Sequence, residues 1–446
     1  MSIPHRILAI GCSALMIGGL QLIGPGAAAK EISPADVLVF YGGLAPLNGR
    51  AQPYLRELMD GAAAGKTLSV NPMKAAWNRV TETRLKISDH PIVTTPEQFS
   101  EAVGRLFGLS ADEVDPVARR AKLDDSNNLA LTLVASFEYA VSLPFEDRKT
   151  GRKNFKPHFI VGVSAVLSRL GTGRIVASAG AVSEKDGDWM PSATIKSGVA
   201  KRKFAEAYKD AAVFAIDRLA SLVSKFDGSY PPMDMVSFPV VFDDKWRRMH
   251  RVRDIGFPRR HRSVCTMPSL CKAEDGKCLR AVSLIAELAT ASLSQKDGVN
   301  MMPSGLWSHW EGAARGTLDT VVSLNIDTSG GLGVLDRTLK LTFDPKQANR
   351  KIVIGLAGIK PDDAPVRSER VAMVQRTYRP DLHVWSYRNC ESERLPTVLS
   401  GRNYKFAGFK ETILAAQAKA PLNPAFEEAV SLISLFMAFE QFGKLK

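Results

Sequence analysis

The residues best placed for chemistry are an aromatic and ionisable cluster, Trp307, His309, Trp310 and Glu311, and a run of cations between Lys245 and Arg262. Two indoles beside an imidazole and a carboxylate could stack on a sugar ring or line a hydrolytic cleft, the base and acid moving protons. Packing of the same residues at a domain seam is the plainer reading. Trp77, at the matching place earlier in the chain, has no neighbouring histidine, and that counts against catalysis. In the second group, Lys245, Arg247, Arg248, Arg251, Arg253, Arg259, Arg260 and Arg262 stand against one acid, Asp254, while Trp246, Met249, Val252 and Ile255 recur at every third position. This spacing predicts a short basic amphipathic helix ending before Pro258. Its cationic face would suit an anionic surface; the plainer alternative is a solvated insertion whose apolar stripe packs on its own domain.

Four cysteines, Cys265, Cys271, Cys278 and Cys390, fall in the second half of the chain. An even set in an oxidising compartment predicts two disulfides, and the crowding of the first three predicts one short local loop plus one bridge to Cys390. A zinc site using His261 is the alternative, although the spacings match no C-x2-C knuckle. No metal or cofactor is expected. Gly61 to Thr67 imitates a phosphate-binding loop but has three residues between its glycines where four are needed, and reads as a helix end. The adjacent pairs Asp124-Asp125, Asp243-Asp244 and Asp362-Asp363 would point their carboxylates apart in a strand or a helix, so they make poor acid/base dyads. No G-x-S-x-G or H-E-x-x-H signature occurs.

Residues 1–29 carry His5 and Arg6, an apolar run from Ile7 to Ile23 and Ala27-Ala28-Ala29 before Lys30, the pattern of a cleaved signal peptide. We therefore expect a periplasmic chain beginning at Lys30, with no membrane span after that point. Only Arg6 is lost on cleavage, so nearly all of the formal charge of +13 stays and favours anionic partners. Nucleic acid matches export poorly; an envelope protein or an anionic lipid or lipopolysaccharide surface matches it well. The length supports two or three domains at roughly 100 to 200 residues each.

The elements that must position these groups read as α+β, in two tandem duplicated domains. Val70-Asn71-Pro72-Met73 returns as Val299-Asn300-Met301-Met302. Leu129, Leu131, Leu133, Ala135, Phe137, Tyr139 and Val141 alternate with Thr132, Ser136, Glu138 and Ser142, which predicts a half-buried strand. Phe159 to Leu167 and Ile175 to Val182 complete an antiparallel meander around Gly171-Thr172-Gly173. In the second half, alternation at 318–326, 339–343 and 351–359 predicts a matching meander, with Lys351-Ile352-Val353 corresponding to Arg174-Ile175-Val176. Opening strands at Val37 to Tyr41 and Phe238 to Phe242 precede helices near 52–64 and 279–294. Closing helices carry Phe204, Tyr208, Ala211 and Ala215, or run from Ala425 to Phe442. The closing segment of the second half is apolar nearly all round, which predicts a buried helix, with an oligomer interface as the alternative. The domains are then 30–230 and 235–446, joined near Gly228 to Asp234. The first carries an insertion at 80–125 with a helix near 97–107, the second a basic, Cys-rich insertion at 245–278, and 360–424 has no counterpart.

With its Gly171-Thr172-Gly173-Arg174-Ile175-Val176 turn, this order of opening strand, helix, paired strands and closing helix resembles the CsgG-like and TolB amino-terminal-like α/β domains of bacterial envelope proteins. The resemblance implies a non-enzymatic assembly or adaptor role in the periplasm or at the outer membrane. The chain departs from the curli-channel type in lacking a terminal lipidated cysteine and a long amphipathic pore hairpin.

Overall fold

A computed structural model describes residues 37–46, 54–55, 85–88, 128–146, 153–169, 172–223, 230, 232–255, 270–272, 275–296, 298–303, 322–327, 338–343, 348–366, 372–388, 397–415 and 424–445. The signal segment, residues 97–107, the first Val-Asn-Pro-Met copy and the phosphate-loop mimic lie outside these residues.

The first sheet contains β1 (Val37–Pro46), β2 (Leu85–Ser88), β3 (Asn128–Glu146), β4 (Lys153–Arg169) and β5 (Ile175–Asp186), in the order β2-β1-β3-β4-β5. β1 runs parallel to β2 and β3, and β3, β4 and β5 form the expected antiparallel meander. Helix α1 (Ser197–Val223) lays Phe204, Tyr208, Ala211, Ala215 and Leu219 on one face of this sheet, against Leu129, Leu131, Leu133, Phe159, Val161 and Ala177. The alanines let helix and sheet approach closely, and each large side chain buried there contributes about 1.5 to 3 kcal/mol.

The second sheet contains β6 (Met233–Val241), β7 (Asn300–Met301), β10 (Lys351–Val366), β11 (Met373–Arg388) and β12 (Thr397–Lys405), in the order β12-β11-β10-β6-β7, while β13 (Lys410–Leu414) pairs with the far half of β11. β6 is parallel to β7 and β10, and β10, β11 and β12 are antiparallel. Order and strand sense therefore match those of the first sheet. The correspondence differs from the one the sequence predicts. Segments β8 (Val322–Asp327) and β9 (Thr338–Phe343) form a separate hairpin. The meander is built from β10 to β12, so residues 360–424 supply part of the sheet itself. The joint is shorter than expected too, since Met233 and Asp234 already belong to β6, with Asp234 buried and held by Arg350.

Helices α3 (Gly276–Leu293) and α4 (Pro424–Gly443) lie on the second sheet. Every residue of α3 from Ala281 to Leu293 is buried, because its other side meets the first sheet. Four layers result: α1, first sheet, α3 with α4, second sheet.

This stacking corrects the half-buried reading of β3. Thr132 and Ser136 are 0% and 1% exposed, on the face that α3 covers. A bulge falls between Ala135 and Phe137, and beyond it Phe137, Val141 and Leu143 belong to the α3 side, whereas before it the odd-numbered residues Leu129, Leu131, Leu133 and Ala135 belong to the α1 side. Gly162 leaves room for this crossing, since a Cβ there would stand 2.4 Å from Phe137 Cε1. Glu138 is thereby turned toward α1, where its carboxylate accepts the N–H groups of Tyr54 and Leu55 and the hydroxyl of Tyr208.

Candidate functional site

The basic segment is organised around a short helix, α2 (Asp244–His250). Asp243 caps it, its carboxylate accepting Trp246 N–H at 2.6 Å. The helix stops at Arg251, the one described non-glycine residue with positive φ (58°), and Val252 N–H closes back onto Arg247 O at 2.9 Å. The expected helix toward Pro258 is thus cut to two turns. Arg253 N–H donates to Leu270 O, leading the chain toward Cys271.

Its apolar stripe is used internally. Trp246, His250 and Val252 are 3%, 2% and 6% exposed and pack toward α3 and α4, with the Trp246 and His250 rings 4.0 Å apart. Burial lowers the His250 pKa to about 4, Glu428 raising it and Lys277 lowering it in smaller measure. Several cations meet acids of the same chain: Lys245 pairs with Glu427, Arg247 with Asp244 at 2.5 Å and with Asp254, and Arg251 lies 3.8 Å from Asp275. Arg248 and Arg253 are exposed. Asp275 also caps α3, accepting from Lys277 N and Cys278 N at 3.2 Å each. Arg259, Arg260 and Arg262 lie outside the described residues.

Cys271 and Cys278 form a disulfide with Cα atoms 5.7 Å apart, the short local loop the spacing predicts. It withdraws two thiolates from the alternative zinc site with His261. Cys265 and Cys390 lie outside the described residues, as do Trp307, His309, Trp310 and Glu311.

Of the adjacent aspartate pairs, Asp124-Asp125 lies outside the described residues, and the other two have structural partners, Asp243 and Asp244 in the cap and first turn of α2. Asp363 forms a two-pronged bridge to Arg376 at 2.8 and 2.9 Å, and Asp362 meets Arg379 at 2.6 Å. The bridge holds the Asp363 carboxyl below its ordinary range.

No protein-family model matches the chain, and no curated protein matches it. None of the described helices is long and apolar enough to cross a membrane.

Sequence reasoning passed over one group that the fold assembles: His158, Glu184 and Asp186, whose potential ligand atoms lie within 4.8 Å of one another. They sit on two strands, 26 to 28 positions apart in the chain, so no local spacing could flag them. The signal available was the meander itself, which sets β4 against β5.

Proposed function

We propose that the chain is an exported, non-enzymatic envelope scaffold, built from a duplicated α+β unit, that engages an anionic envelope partner through the basic surface around α2. The observation that carries this reading is the repeated strand order: two five-strand paths with the same sequence of parallel and antiparallel neighbours, each bearing helices on one face. The helix-free face of the first unit rests on the helix layer of the second, a packing suited to a rigid platform. The likeness in layout to CsgG-like and TolB amino-terminal-like domains points the same way. On α2 the apolar stripe faces inward, so attraction to a partner would come from charge, through Arg248, Arg253 and the arginines that follow. Exposed charges act over about 8 Å at physiological salt, which makes the contact salt-sensitive.

The test is co-sedimentation of the chain lacking residues 1–29 with vesicles of anionic lipid and with lipopolysaccharide, against the Arg248, Arg259, Arg260 and Arg262→Gln variant. We expect binding that falls steeply with salt and is lost in the variant. Equal binding by both proteins would remove the assigned surface.

A further inference from the structure

We propose that His158, Glu184 and Asp186 form a divalent-cation site at the end of the first sheet. His158 on β4 stands directly opposite Asp186 on β5, and Glu184, two residues earlier on β5, stands opposite Ile160. The two-residue period of a strand puts all three side chains on one face. That face continues the row of Gly180 and Val182 beyond the region covered by α3. His158 Nδ1 lies 2.6 Å from Glu184 Oε1 and 3.0 Å from Asp186 Oδ1.

Two carboxylate oxygens therefore share a single ring nitrogen, which carries at most one proton. The residue is only 8% exposed, and its other nitrogen, Nε2, is buried with no hydrogen-bond partner. An unsatisfied nitrogen on a buried imidazole is uncommon. The imidazole here is fixed by its surroundings and turned toward two anions. β3 supplies an apolar wall, with Val141 opposite His158 and Leu143 opposite Lys156, both buried. Lys156 faces the cluster and pairs with Asp186 through the remaining oxygen, Oδ2, which leaves Oδ1 toward the histidine.

One neutral imidazole and two carboxylates balance a divalent ion. Bonds of about 2.0 to 2.2 Å in a tetrahedral shell place ligand atoms roughly 3.3 Å apart, so the present separations need open by less than about 1 Å. Asp186, about half exposed, leaves the outer position to water. One nitrogen with two oxygens suits zinc or manganese; calcium, which takes six to eight oxygens, is poorly served.

Thermal unfolding of the chain lacking residues 1–29 with zinc, manganese or calcium chloride tests the site, together with cobalt absorption, which separates nitrogen and oxygen ligands from thiolates. We expect zinc or manganese to raise the midpoint by about 2 °C or more at saturation, and calcium to leave it unchanged. Glu184→Gln and Asp186→Asn should each weaken binding at least tenfold while keeping side-chain shape. Lys156→Met should strengthen it, because the competing ammonium is gone. A midpoint indifferent to zinc and manganese, an equal response in the Glu184→Gln/Asp186→Asn double variant, or cobalt bands of thiolate type from Cys265 or Cys390 would each overturn the proposal.

Discussion

His250 shows how one buried side chain ties the α2 corner to solution conditions. Its ring packs tilted against Trp246, its Nδ1 is 4.0 Å from Glu428, and burial depresses its pKa from 6.5 to about 4. The folded state thus holds the neutral ring. Its share of stability is whole above pH 6.5 and is lost as pH falls toward 4, amounting to about 3 kcal/mol at most. Urea midpoints measured from pH 7.5 to 4 should fall more steeply for the native chain than for His250→Phe; parallel curves would contradict the assignment. Glu138 is the comparable case on the other face, where burial raises its carboxyl pKa against the opposing effect of three hydrogen bonds. Neither environment could be read from the sequence. The alternation from Leu129 to Val141 is real, but the bulge at Ser136 transfers its second half to the opposite face, and a bulge leaves no mark in a period-two pattern. Gly162 was the available clue, since it clears the space that Phe137 takes.

Among the elements, the contact of α3 with β5 is close enough to depend on single atoms. A Cβ at Gly180 would meet Ala291 Cα at 3.3 Å, and the Gly180 N–H donates to Ser294 Oγ. Gly180→Val should destabilise by about 1 to 3 kcal/mol, because it overpacks a helix against a sheet. Next to it, the Asn300 side chain closes the open edge of β5: its Oδ1 accepts Ser178 N–H at 3.0 Å and its Nδ2 donates to Val176 O at 3.2 Å. Asn300→Ala leaves both backbone groups unsatisfied and should cost about 1 to 3 kcal/mol by denaturant titration, whereas a loss under 0.5 would mean water replaces the amide. The sequence marked Asn300 as part of a repeated Val-Asn segment without disclosing this role. The long elements were legible in type and place: α1, α3, α4, β3, β4 and β5 fall where the sequence predicts helix or strand, although the alternation of β3 did not tell which face each of its halves buries. The strand pairing of the second half was not, because Lys351-Ile352-Val353 looks locally like Arg174-Ile175-Val176, and only pairing with an opening strand, which β10 has and β5 lacks, distinguishes the first meander strand from the third.

At the scale of the molecule, the two halves share an interior. Arg218, on α1, reaches past the edge of β5 and donates through Nη1 to Gly180 O at 2.5 Å and to Ala291 O at 3.1 Å, joining three layers at one point. Burial lowers its pKa to about 10, still far enough above neutrality for the guanidinium to stay charged. Arg218→Met should cost roughly 2 to 4 kcal/mol, since charged hydrogen bonds contribute about 1.5 to 3 kcal/mol each and are only partly additive. Residues 30–230 produced alone would expose the face of Ala130, Val134, Phe137 and Ile160, and should be insoluble or unfolded. A soluble, cooperatively folded fragment would show that the first unit does not need the second. Tandem sequence order suggested neighbours joined by a linker, but the small residues at 130, 132, 136, 162, 164, 178 and 180 make a surface that admits a helix from the other half. Native-state hydrogen exchange along α3 tests this layered account most directly. Amides from Ala281 to Leu293 should exchange only through global unfolding, with the same denaturant dependence as those of β4 and β10. Faster exchange in α3, through an opening that leaves the first sheet protected, would contradict it.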